Sequence, residues 1–162
     1  MFRFWYRYVF TNRTLIETGA SQAVWLKRII PDYNNYMGLV FEKVCYDYLC
    51  LKNAKGELPI LFTSIGRWWG TNPHTHCQIE LDLIANNGND YLFCECKWSN
   101  EKLDLPILND LKIKADIFSK KRKNTYYILF SKSGFTETVI KESEDDSSII
   151  LVDINEIING TL

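Results

Sequence analysis

Histidine is nearly missing from this 162-residue chain, with only His74 and His76, two positions apart. That scarcity excludes the serine hydrolases, which need an imidazole base, because neither Ser131 nor Ser133 has a histidine that the sequence pairs with it. It also sets zinc aside: His74, His76 and Cys77 follow a Gly70–Pro73 loop and lack a fourth ligand at matching spacing. No apolar run is long enough to span a membrane, so no membrane partner is expected. The aromatic, basic start MFRFWYRYVF lacks the apolar core and small-residue cleavage site of a secretion signal. An excess of charge is missing too. The 19 Lys and Arg stand against 20 Asp and Glu, which argues against a bulk nucleic-acid coat but leaves room for a local basic groove. The five cysteines include no C-x-x-C pair, and they read as reduced core thiols of a cytoplasmic protein.

What remains is enough for one α/β domain with an N-terminal helical segment. Residues 1–33 are dense in Phe, Trp, Tyr, Leu and Ile, and predict short helices broken at Asn12-Arg13-Thr14 and again at Pro31-Asp32. Phe4, Trp5, Tyr8 and Phe10 are expected to pack on the domain or on a second copy of it, so a homo-oligomer is one expectation. Residues 34–162 form the main domain. Met37, Val40, Phe41, Val44, Cys45, Tyr48 and Leu49 recur at helical spacing. Strands are predicted at 60–69, 77–85, 90–98, 125–131 and 148–152. A helix over 106–119, opened by Pro106, links the third strand to the fourth and implies a parallel pair in a mixed sheet of about five strands. Residues 141–147 read as an exposed acidic loop, and 154–158 as a last short helix.

The chemistry gathers around FCECKW, residues 93–98. Strand side chains alternate, so Glu95 and Lys97 share one face while Cys94, Cys96 and Trp98 share the other. Asn86-Asn87-Gly88-Asn89 is hairpin-turn sequence. An even loop from Asn87 to Asp90 sets Asp82 opposite Glu95, with Glu80 expected on the same face as Asp82. Alone, Glu95 and Lys97 are an ordinary wet sheet pair. Together with Asp82 they suit a Mg²⁺ site, for which Mn²⁺ would substitute. Asp82 and Glu95 would be ligands, the backbone carbonyl of Cys96 another, and Lys97 would stabilise charge on a scissile phosphate. Glu42 on the preceding helix reads either as a boundary residue or as part of that set. Arg67 and Trp69, of the run Gly66-Arg67-Trp68-Trp69-Gly70, are candidates to hold nucleic acid. So are Lys112 and Lys114, within a basic stripe that continues through Lys120 and Lys121 and is otherwise a solvated helix face.

Asp82 followed by Glu95-Cys96-Lys97 resembles the split D…E-x-K signature of the restriction-endonuclease-like PD-(D/E)XK nucleases. Members often carry a Glu on the helix before the core strands, and Glu42 in Gly38-Leu39-Val40-Phe41-Glu42 matches it. The usual Pro before the Asp is absent; the chain reads Glu80-Leu81-Asp82, and Glu80 could stand in as a ligand. More closely, Phe4 to Phe10, Gly38 to Glu42, Ile65 to Gly70, Glu80 to Asp82, Glu95 to Trp98 and Lys132 to Phe135 resemble the nuclease-like C-terminal domain of archaeal and bacterial AAA-type ATPases. The resemblance covers about residues 1–135. It implies a restriction-endonuclease-like core, a magnesium-dependent nuclease acting on nucleic acid, DNA above RNA, and an upstream ATPase part. A non-catalytic binding or regulatory module of such an ATPase is the alternative. This chain has no G-x-x-x-x-G-K-[ST], so ATP binding does not carry over to it.

Overall fold

The computed structural model describes residues 2–73, 75–118 and 122–160. His74, Ser119, Lys120 and Lys121, which the sequence reading touched, lie outside them. Contacts divide the chain into two compact units, 1–39 and 40–162.

The first unit is a run of short helical turns: α1 (Phe2–Phe4), π-helical Trp5–Val9, 3-10 Phe10–Asn12, α2 (Arg13–Glu17), α3 (Ser21–Val24), π-helical Trp25–Ile29 and the start of α4 (Ile30–Lys55). A helix boundary falls at the expected Asn12-Arg13, where Asn12 leaves the helical region, and a second falls at Thr18 to Ala20, where Gly19 supplies the left-handed φ of +87° that the turn needs. Pro31 does not break the chain. It sits in the first turn of α4, where a missing N–H is tolerated. Tyr8, Val24 and Ile29 form a small core with Phe4, Ile16 and Tyr36. Trp5 and Phe10 stay about half exposed and meet with their rings tilted at 41°, so only part of the expected aromatic packing occurs inside this unit. Asp32 ties the turns together by accepting from Tyr8 Oη at 2.6 Å and from Arg7 Nε at 2.7 Å.

The second unit is a mixed five-stranded sheet in the order β1 (Ser64–Thr71), β2 (Gln78–Asn86), β3 (Asp90–Lys97), β4 (Asn124–Ser131), β5 (Ile149–Asp153). The first three strands are antiparallel and the last three parallel. The crossover from β3 to β4 is α5 (Leu105–Phe118), as the sequence predicts. β1 begins four residues late. The amide of Asn53 takes both backbone groups of Phe62, which removes that residue from the sheet ladder.

Helices cover both faces. On one, Phe41, Cys45, Tyr48 and Leu49 of α4 pack on Leu83, Ala85, Leu92, Cys94, Cys96, Ile128 and Phe130. On the other, Leu108, Leu111 and Ala115 of α5 pack on Leu81, Ile84, Phe93 and Leu129. The expected acidic loop at 141–147 is largely helix: α6 spans Glu137–Asp145, with Val139 fully buried, before the short α7 (Ile154–Gly160). Lys112 of α5 offsets the acid run by lying 3.5 Å from Glu142 and 3.7 Å from Asp146. Asp104 anchors its start by accepting from the hydroxyls of Thr136 and Thr138, each at 2.7 Å.

Candidate functional site

The hairpin joining β2 and β3 is fixed locally. Asn87 Oδ1 accepts from the backbone N–H groups of Asn89 and Asp90, and Gly88 takes a φ of +96°. The register that results pairs Leu83 with Cys94 and Asn86 with Tyr91. The regular pairing ends there, and Asp82, the next residue of β2, bonds to the Cys96 backbone N–H.

β2 then departs from simple alternation. Between Gly66 and Trp68 of β1 two residues are advanced, whereas β2 runs from Ile84 to Leu81, so β2 bulges opposite Arg67. Leu83 faces the α4 layer and Leu81 the α5 layer, although they are two residues apart. Such a bulge re-aims the side chain it carries. Here that side chain is Asp82. The expectation that Glu80 and Asp82 share a face fails for this reason: Glu80 turns to the α4 side.

On that side Arg67 pairs with Glu42 of α4, and its Nε lies 3.3 Å from Glu80. Glu80 is thereby held by Arg67, not brought to Glu95. Burial pushes the Glu42 carboxyl above its ordinary range, against the pull of Arg67, and the charges of Glu80 and Glu95 add to the rise. Trp68 packs in the α5 core layer, and Trp69 is 71% exposed.

On the α5 side stand Glu95 and Lys97. The polar face, which the sequence left as either wet or chemical, is covered at Glu95, which is only 4% exposed. Its Oε1 lies 2.5 Å from Lys97 Nζ. Its Oε2 is buried and has no hydrogen-bond partner. Lys114 of α5 approaches that oxygen to 3.8 Å, ion-pair range but beyond a hydrogen bond, and is held 2.8 Å from Asp110 one turn back. Burial alone would lower both lysines. The hydrogen bond to Glu95 and the charges of Glu95 and Asp82 carry Lys97 above its ordinary value, and Asp110, Glu95 and Asp82 do the same for Lys114. Lys112 points elsewhere, to α6 and the ring of Tyr127.

Asp82 Oδ2 accepts from the Cys96 backbone N–H at 2.8 Å. Desolvation, then the Glu95 charge, pushes its carboxyl up to about 6 despite that bond. The fold thus holds two acids together in poor solvation, one with an unbonded oxygen, the electrostatic condition that a divalent cation relieves. Asp82, Glu95 and the Cys96 carbonyl are the groups that would hold a magnesium ion, which completes its shell with water and phosphate oxygens. Among the described residues no three His, Cys, Asp or Glu side chains converge closely enough to hold an ion by themselves.

Two partners went unforeseen: Asp110 for Lys114, and the Arg67 link between Glu42 and Glu80. An acid four residues before a lysine on a helix was the signal for the first. The second had none, since it depends on the bulge.

The chain belongs to the DUF234 family, archaeal and bacterial proteins of unknown function, whose family model matches residues 5–111. That span contains Glu42, Asp82, Glu95 and Lys97 and stops short of Lys114. An uncharacterized protein of Methanocaldococcus jannaschii is 36% identical over 157 residues, which are 94% of this chain and 32% of that protein. The chain therefore spans about a third of that relative's length. The crystal structure of a protein of unknown function superposes on 70% of this chain and 57% of its own, with a TM-score of 0.41 and 16% identity. Among the described residues no helix is long and apolar enough to cross a membrane.

Proposed function

We propose that the chain is a PD-(D/E)XK-type nuclease domain that hydrolyses phosphodiester bonds of nucleic acid, DNA above RNA, with Mg²⁺. The observation that carries the reading is the unbonded, buried Glu95 Oε2 beside an Asp82 whose carboxyl is pushed up to about 6, with Lys97 on the same strand as Glu95. The order of parts supports it as well: an acid on the first long helix, an Asp on a bulged strand, E-x-K on its hairpin partner, and a lysine on the covering helix.

In this reading Asp82 gives up its proton and, with Glu95, binds the ion. When bound, Mg²⁺ lowers the pKa of a coordinated water and screens the phosphodiester. Lys97 turns its ammonium from Glu95 to the phosphate and stabilises the charge that grows on its oxygens. Glu42, held by Arg67 on the other side of the bulge, adds negative potential that helps to retain the cation. Five free thiols fit a reducing cytoplasm. An ATPase part in the longer protein would deliver the substrate.

A second reading rests on one observation. Arg67, Lys97 and Lys114 each already pair with a carboxylate, so no cation of the site is free for a phosphate. A non-catalytic module that binds nucleic acid or a protein partner for an ATPase would look the same.

Incubation of the chain with linear, branched and single-stranded DNA and with RNA, in Mg²⁺ and in chelator, separates the two. The nuclease reading expects cleavage that stops in chelator. Lys97→Ala should slow it by about 100-fold or more, the usual cost of one transition-state donor, and leave Mn²⁺ binding in place. Cleavage indifferent to chelator, or to Lys97→Ala, would sink it.

A further inference from the structure

Lys114 is a cation kept at a set distance. Asp110 holds its ammonium at 2.8 Å, and Glu95 Oε2, 3.8 Å away, is left without a hydrogen bond. The helix that carries both residues is fixed by Leu108, Leu111 and Ala115, all buried against the sheet. Lys114 is itself partly buried, with 21% of its side chain exposed. A free lysine this close would close on a buried carboxylate. Asp110 prevents it.

We propose that Lys114, tethered by Asp110, makes divalent-ion binding at Asp82 and Glu95 conditional on a nucleic-acid phosphate; this rests on the nuclease reading above. Without phosphate, the ammonium repels an ion arriving at Glu95 Oε2. With phosphate bound, that same ammonium faces an anion, and the repulsion becomes an attraction shared with the ion. Lys97 sits at the other oxygen of Glu95, Oε1, and so does not guard Oε2. The tether matters equally: it keeps Oε2 available where an untethered lysine would cover it.

The test is Mn²⁺ affinity of the whole chain, alone and with a short phosphorothioate-linked DNA duplex. In the wild type the duplex should tighten Mn²⁺ binding by about tenfold, and by linkage Mn²⁺ should tighten duplex binding equally. Lys114→Met should bind Mn²⁺ several-fold more tightly alone and lose most of the gain from DNA. Asp110→Ala, at a largely exposed position, should bind Mn²⁺ more weakly alone, because the freed ammonium closes on Glu95. In a Lys114→Met background the same Asp110→Ala change should have no effect, which a plain loss of negative charge would not give. Lys114→Met with unchanged or weaker Mn²⁺ affinity, or with the full gain from DNA, overturns the proposal. So does an Asp110→Ala effect of equal size in both backgrounds. A wild type that binds Mn²⁺ in neither condition removes the metal site and this inference together, whereas binding without coupling removes the inference alone.

Discussion

Asp82 is where stability and chemistry oppose each other most directly. Its carboxyl rises from an ordinary 3.8 to about 6, chiefly through desolvation. Between those two values the folded chain holds a proton that the unfolded chain has released. Stability from this group therefore falls as pH rises through that window, and the whole penalty applies above about 6. Asp82→Asn keeps an oxygen for the Cys96 N–H and removes the charge. It should raise stability at pH 7.5 by about 2–3 kcal/mol, since each tenfold change in proton affinity between the folded and unfolded chain is worth about 1.4 kcal/mol. The gain should vanish near the unfolded value. Urea denaturation of both proteins across pH would check this; a gain that is constant with pH would place the effect elsewhere. That Glu95 and Lys97 share a face was legible from the two-residue period of β3, and the β2–β3 register from the four-residue turn, whereas the aim of Asp82 depends on the bulge. The burial of Glu95 was not legible, since it needs α5 to fold over that face.

At the scale of elements, α5 does two things. It buries Leu111 completely and presents Lys114 to Glu95. Leu111→Ala should cost about 2–5 kcal/mol, the range for a buried leucine that leaves a cavity, while Ile113→Ala on the exposed side should change stability by less than about 0.5 kcal/mol. Chemical denaturation of the two variants checks the pair, and similar losses in both would mean that α5 packs differently. α5 and its crossover were legible because Pro106 and the apolar spacing mark them. α6 was missed because its acids look like a solvated loop until Lys112 and Asp104 come to them from other elements. The β2 bulge was also illegible. Nothing in Glu80-Leu81-Asp82-Leu83 shows which residue is extra; that depends on how β1 pairs with it. The bulge separates Glu80 from Asp82, and so decides which acids can share an ion.

For the whole molecule, a five-stranded mixed sheet between two helical layers follows from the strand-helix-strand order, and the N-terminal helical unit from its apolar density. Of the two breaks expected in that unit, the one at Asn12-Arg13 is a helix boundary, and the one at Pro31-Asp32 is not, because Pro31 is accommodated in a first helical turn. A net charge of -1 gives no general attraction for a polyanion. In the proposed reading, attraction for nucleic acid would have to come from the site, where Arg67, Lys97 and Lys114 each pair with a carboxylate. The central claim is that Asp82 and Glu95 bind one divalent ion. Calorimetric titration of Mn²⁺ into the wild-type chain and into Asp82→Ala, both with duplex present, tests it most directly. The account predicts saturable binding in the wild type and a loss in the variant larger than the roughly 10–100-fold that removal of an outer-shell partner costs. Equal affinity in the two proteins would contradict it, and would make the acids a balanced ion-pair network in a binding module.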